Sequence, residues 1–436
     1  MNARPLTIAL GAVWLAAFAA GTYGLGQRML TGHEQANYGS YVPWGLWVAM
    51  YIYFVGLSAG AFLLSSLIYV FGLKRLEPIG KLALFTATIT LCCALLVIWL
   101  DLGQPFRFWK VYANVQPTSM MAWMVWLYTA YFLLVLTETW FALRADLVVW
   151  GRRTGLAGWL GRTLTAGSRD MSSASRDRDR RVLQVLGTLG VPLAIAFHGG
   201  VGALFGVLGA RPYWNTSLLP IMFLVGALAS GGALLTFVVA YFWPEQKSAQ
   251  YRDLVTLLGR MALGLLAFDL ILEWSELSIN LYASIPAHAE AFRTVLFGQF
   301  WWVFWIGHLA LGAAVPILLL ALFPRTPKIV GAAGLLIAAT FITVRLNIVV
   351  PGLVHPELVG LERAYTDLRL TFAYIPSMME FLVGLFVVAF GVGLFLLGRW
   401  LLPLTTDDAT SPLEPLPRVD GHLAPPSPRE PSLAAR

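Results

Sequence analysis

Charge is scarce in this chain. Lys, Arg, Asp and Glu make up 12% of its 436 residues, about half the share of a soluble domain. Hydrophobic residues reach 58%, which excludes an ordinary soluble enzyme and points to an integral membrane protein. Cysteine is scarcer still. Cys92 and Cys93 are neighbours inside an apolar run and point to different sides of a helix, so they supply no disulfide framework, CxxC metal site or iron–sulfur ligand set. No metal motif is present, and any iron–sulfur chemistry must come from another polypeptide. Histidine is limited to six positions, 33, 198, 288, 308, 355 and 422. Only His198 and His308 form a bundle pair, enough for one b-type haem where transmembrane electron transfer usually uses two. The net charge of +7 invites a nucleic-acid reading, but the basic residues gather in loops on one side. Topology accounts for them, and no nucleic-acid partner is expected.

What is present is length of apolar sequence. Runs long enough to span a bilayer fall at 5–27, 45–73, 82–101, 119–143, 182–208, 217–242, 255–281, 300–322, 329–350 and 379–401. The opening run has the basic start and small residues of a signal peptide, but it extends to Leu25 and is read as an uncleaved first span. Ten spans put both termini on one side. That side carries 22 of the 30 Lys and Arg, including nine arginines between 144 and 181. The positive-inside rule therefore makes it the cytoplasm, and the expected location is a bacterial inner membrane. The expected fold is an all-α membrane protein of about ten transmembrane helices, covering 1–403. A basic cytoplasmic loop (144–181) and a disordered Pro-rich cytoplasmic tail (404–436) lie outside the bilayer.

A faint repeat divides the spans. "GLSAGAFLL" (56–64) aligns without gaps to "ALASGGALL" (227–235), and both lie on helices running in the same direction. Small residues at such spacing let helices approach closely. Shared Gly/Ala/Leu composition would give the same match by chance. The common direction favours two four-helix bundles, spans 2–5 (45–208) and 6–9 (217–350), with spans 1 and 10 flanking them.

Against this apolar background, buried charge is costly and marks function by default. At about 100° per residue, Asp269, Glu273, Glu276 and Asn280 lie within roughly 60° of one another on span 7. Their stripe climbs about 16 Å towards the outer surface. Asp101, His198, His308, Arg345, Asn347 and Glu380 lie at comparable depth on other helices. Bland readings exist for each. Asp101 and Glu380 fit an interface, Arg345 a counter-ion for Glu273 or Glu276, and His198 a satisfied bundle histidine. Glu138, near the cytoplasmic end of span 4, fits interfacial water. Three acids on one stripe, with Arg345 the one basic residue of spans 7–10 away from their cytoplasmic ends, are harder to reduce to a structural pair, and a proton path explains them. Such a path at the outer face suits a quinone, which needs a proton acceptor, an apolar slot and a nearby electron acceptor. A b-type haem cytochrome subunit and a proton-coupled secondary transporter are the alternatives.

Two stretches carry a family resemblance. "WVAMYIYFVGLSAGAFLLSSLIYVFG" (47–72) resembles the opening bundle helix of the NrfD/PsrC family, the membrane subunits of polysulfide-reductase-type complexes. "DLGQPFRFWKVYANVQPTSMMAW" (101–123) resembles that family's DLGRPxRFW…PTSxMSW segment. "FHGGVGALFGVLGARPYW" (197–214) and "RLTFAYIPSMMEF" (369–381) are similar to its ten-span branch, that of the Dsr complex, alternative complex III and hydrogenase-type membrane subunits. The resemblance implies a haem-free subunit exchanging electrons between menaquinone or ubiquinone and a ferredoxin-like iron–sulfur subunit on the periplasmic face. A molybdopterin or multihaem cytochrome subunit commonly completes such complexes. By motif position, Asp101 and Arg107 belong to the quinone-side loop and His198 to the quinol contact. Gln104 stands where the family usually has Arg, which puts the loop's role in question. The expected proton path comprises Asp269, Glu273, Glu276, Arg345, Glu380 and Glu138.

Overall fold

The computed structural model describes residues 3–70, 72–283, 285–358, 360–365, 367 and 369–404. The tail expected to be disordered lies, beyond Leu404, outside them. Ten helices are long and apolar enough to cross a membrane, and the described residues contain no strand. In order the spans are Ala3–Thr31, Leu46–Tyr69, Gly80–Asp101, Met120–Trp150, Ser173–Gly206, Leu219–Phe242, Ala249–Ala283, Val303–Leu322, Pro327–Val349 and Met378–Leu401. They are numbered 1 to 10 below. The face reached by the connections after spans 2, 4, 6 and 8 is called the basic face.

Span 2 packs on spans 3 and 5, and span 4 on both of these; span 6 packs on spans 7 and 9, and span 8 on both of these. Span 10 packs on spans 1, 2 and 3, outside the two rings. The two groups meet chiefly where span 2 packs on span 6, the seam at which the two repeat stretches meet, with span 5 also against span 6 and span 9 against span 2. A Cβ on Gly231 would stand 2.6 Å from both the Gly60 Cα and the Leu57 carbonyl oxygen. A Cβ on Gly60 would reach the Ala227 carbonyl and stand 2.8 Å from the Gly231 Cα. Gly60 and Gly231 occupy the same repeat position, so the seam is a near-symmetric glycine contact. In lipid, close backbone approach of this kind is what holds helices together.

The segment 144–181, expected as a loop, is mostly helix. Span 4 runs on to Trp150, a separate helix covers Gly155–Leu164, and span 5 already starts at Ser173. Hydropathy cannot see these charged turns, but charge pairing holds them. Lys81 is paired with Asp146, and Arg144 donates to Asp179 at 2.5 Å and to Ser175 at 2.8 Å. All five side chains are buried. A further helix, Pro286–Phe297, stands between spans 7 and 8 with Pro at its first turn.

Candidate quinone and proton site

On the face opposite the basic loops, the connection 32–45 is clamped between spans 3 and 10. Arg28, buried at the end of span 1, donates to the carbonyls of Leu100 (2.8 Å) and Leu102 (2.7 Å). It thereby satisfies carbonyls that the end of span 3 leaves free. Tyr38 donates to Asp101 Oδ1 at 3.0 Å and stands 3.2 Å from His33 Nε2. Burial, then the fields of Arg28 and Arg369, push His33 down to about 4. Burial and the Asp101 carboxylate raise the Tyr38 phenol, so Tyr38 stays a proton donor.

Glu380 sits beside this group and is wholly buried. Its Oε2 accepts from the Ser377 amide (2.8 Å) and the Asn37 amide (3.1 Å), and its Oε1 from Tyr374 Oη (2.6 Å). Ser377 returns a bond to the Glu380 amide, completing a capping box at the start of span 10. Glu380 is thus fully occupied in fixing a helix end. Arg107 lies exposed on the short turn Pro105–Arg107, among exposed Phe106, Phe108 and Trp109.

Deeper in the membrane the pattern reverses. His198 is 1% exposed; the Ala194 carbonyl one turn back is the one group that bonds its ring, and that contact falls short of a full hydrogen bond. It stands edge-on to Phe197, whose ring touches those of Tyr128 and Tyr131. The charge whose field acts on it is Arg345. Arg345 is 1% exposed and lies over Phe223 at 4.4 Å and Phe341 at 5.2 Å. One Nη donates to the Phe223 carbonyl at 3.4 Å, while Nε has no partner among the described residues. Its guanidinium occupies space that two glycines of the seam leave. A Cβ on Gly226 would be 3.1 Å from Nη2, and one on Gly56 3.6 Å. Nearby on span 9, both amide atoms of buried Asn347 are likewise unpartnered. Buried polar groups are ordinarily hydrogen-bonded, and leaving one unpaired costs about 1–3 kcal/mol.

From Arg345 the polar groups continue along span 7. Buried Asp269 lies in the fields of Arg345, Glu273 and His308. One turn on, Glu273 Oε2 is 2.6 Å from His308 Nε2. At the next turn, Glu276 accepts from Thr216 Oγ1 (3.1 Å) and Asn280 Nδ2 (3.0 Å). His308 lies in a π-helical stretch, Val303–Ala314, whose wider turns are frequent at functional sites. There Gly307 and Gly312 back closely onto Thr343 and Thr340 of span 9.

Asp101, Arg107 and His198, grouped from the sequence, thus have separate surroundings. Asp101 bonds Tyr38, Arg107 is exposed, and His198 lies in the field of Arg345. The acids also sort themselves: Glu273 takes His308 rather than Arg345, and Asp269 is the acid in the field of Arg345. Glu138, expected at interfacial water, is wholly buried with neither oxygen bonded among the described residues. His198 and His308, the pair weighed for a haem, differ in that His308 Nε2 is engaged by Glu273. Sequence reasoning gives no role to His33, Tyr38 or Tyr374. They sit in connections that hydropathy passes over, although "SMME" at 377–380 spells the capping box.

The fold and these groups define a ten-span helical membrane protein with buried polar groups on spans 5, 7, 8 and 9. Residues 34–357 match the family model described as polysulphide reductase, NrfD, and the protein belongs to this family. It is 38% identical over 376 residues to a selenate reductase subunit of Mesobacillus selenatarsenatis, covering 84% of this chain and 88% of that protein. It is 29% identical to the Hdr-like menaquinol oxidoreductase integral membrane subunit of Archaeoglobus fulgidus, covering 84% and 86%. Identity to a polysulfide reductase chain of Wolinella succinogenes is 26%, covering 66% and 86%.

Proposed function

We propose that this protein is the quinone-interacting membrane subunit of a multi-subunit respiratory oxidoreductase in the inner membrane. It exchanges electrons between menaquinol or ubiquinol and an iron–sulfur subunit docked on the face opposite the basic loops, with a molybdopterin or multihaem subunit beyond. The spans form two four-helix units, and both termini lie in the cytoplasm. The observation that carries the reading is His198: a wholly buried imidazole, bonded by the chain through the Ala194 carbonyl alone and lying in the field of buried Arg345. Oxidising a quinol releases two electrons and two protons, so a hydroxyl proton needs an acceptor within hydrogen-bond reach. His198 supplies that acceptor, and Arg345 faces the oxygen on which negative charge develops. The names of the A. fulgidus and W. succinogenes relatives support the redox setting.

Protons released there travel along Asp269, Glu273–His308 and Glu276, successive stations about 6 Å apart on one helix face. The Tyr38–Asp101 pair forms the rim of the quinone slot, with Arg107 in the docking loop. Glu380 positions that rim. Glu138 serves a separate branch towards the basic face.

The test is His198→Ala in the assembled complex. Quinol-dependent turnover should fall at least about a hundredfold, while the partner subunits still reduce their substrate from an artificial donor. Unchanged quinol turnover removes His198 from the site. A complex that moves a solute in liposomes without any redox partner would favour the transporter reading instead.

A further inference from the structure

The redox reading uses the intramembrane groups and leaves the basic face unexplained. On that face a cavity of about 840 Å³ is lined by four arginines, Arg75, Arg252, Arg260 and Arg325, together with Thr256 and Leu257. They come from three separate parts of the chain. Arg75 belongs to the turn before span 3, Arg252 and Arg260 to span 7, and Arg325 to the turn between spans 8 and 9. Arg252, Thr256 and Arg260 are spaced by four and share one face of span 7. Asp253 is the single carboxylate in the lining. Among the described residues none of the four arginines is in an ion pair; Arg252 donates to the Lys247 carbonyl at 3.1 Å. The positive-inside bias explains arginines on this face. It does not explain why three segments bring four guanidinium groups to one cavity against their mutual repulsion.

Depth identifies the counter-ion. Span 7 has 35 residues, about 52 Å of helix against a hydrocarbon core of about 30 Å. Its apolar run begins at 255, so Arg252 stands at headgroup level, and Arg260, about 7 Å inside that start, reaches the same level with its long side chain. Arg252 and Arg260 are about 12 Å apart along the axis, room for two phosphate groups. Guanidinium forks match phosphate oxygens pairwise, and half-buried Leu257 offers the cavity an apolar wall. We infer that this cavity binds the headgroup of an anionic phospholipid, held between the turn before span 3, the start of span 7 and the turn between spans 8 and 9.

The probe is cardiolipin or phosphatidylglycerol added to the delipidated, detergent-purified complex, with bound lipid read by native mass spectrometry and stability by Tm. Anionic lipid should be retained and should raise Tm, whereas phosphatidylcholine and inorganic phosphate should not. Replacing Arg252, Arg260 and Arg325 together by Gln should weaken lipid retention about a hundredfold, at about one charge contribution per arginine. The corresponding Lys variant should keep most of it, which separates charge from folding. Equal retention in the Gln variant, or an equal Tm gain from inorganic phosphate, overturns the assignment. So does a Tm gain only from an acidic partner protein.

Discussion

Two polar regions of this molecule meet the cost of burial in opposite ways. In the rim group, Glu380 accepts three hydrogen bonds, Tyr38 is bonded on both sides and Arg28 covers two carbonyls. In the intramembrane group, Asn347 and one edge of Arg345 have no bonds among the described residues, and His198 has at best a weak one to the Ala194 carbonyl. The first region is finished; the second is not. A satisfied buried network contributes rigidity, whereas an unsatisfied one costs stability and persists only if something else uses it. Stability and turnover should therefore respond in opposite directions in the two places.

The largest effect is expected at His198. His198→Phe removes a buried imidazole that the chain bonds only weakly, through the Ala194 carbonyl, and fills the space with an apolar ring that Phe197 and its neighbours can accept. The variant should be as stable as the parent or more so, by up to about 1–3 kcal/mol. Quinol turnover should still fall at least about a hundredfold. Thermal unfolding in detergent beside a quinol assay reads both. A variant that is less stable and fully active would erase the contrast.

Next is Glu273→Gln, which keeps the shape and the bond to His308 but removes the ionisable proton. Turnover should drop by about tenfold, with any proton release slowed in step and Tm little changed. If rate and proton release both stay at parental values, the stripe on span 7 is structural.

The uneven legibility of the two regions has a physical cause. All ten spans are readable in the sequence, because a bilayer demands about 20 apolar residues whatever their neighbours. The repeat puts Gly60 and Gly231 at matching places, but that they touch is visible only in the fold. The span 7 acids fall on one face by helical period alone. Their partners cannot be found that way, because Glu273 meets His308 and Asp269 meets the field of Arg345 only through tertiary packing. The rim is least legible. Tyr38 and His33 lie in a short polar connection with no period, and their importance comes from Asp101, 63 residues from Tyr38 in sequence. Likewise 144–181 reads as a loop because the extensions of spans 4 and 5 into it are held by buried charge pairs rather than by an apolar stripe.

A smaller effect, of opposite kind to that at His198, is expected at Glu380. Glu380→Ala strips the cap from span 10 and frees the Asn37 and Ser377 amides and the Tyr374 hydroxyl. A lost cap costs about 0.5–2 kcal/mol, and the freed donors add to it. Tm should fall while the turnover of the surviving folded complex stays within about twofold, far below the loss expected at a proton-transfer group. A selective loss of turnover at unchanged Tm would instead make Glu380 a proton carrier.

The smallest effect is a pH slope at His33. Its folded-state pKa is about 4 against the ordinary 6.5, set by burial, then by Arg28 and Arg369, and opposed by the Leu100 carbonyl. Between those values the unfolded chain binds a proton that the folded chain refuses. Stability therefore rises with pH through this window and is lost as pH falls from about 7 towards 4. Gln at position 33 has no such proton to bind. The Tm of His33→Gln relative to the parent should accordingly improve by about 2 °C on going from pH 7 to pH 5. A difference between the two proteins that is flat with pH would mean that His33 charges freely, and that the rim is more open to water than its hydrogen bonds imply.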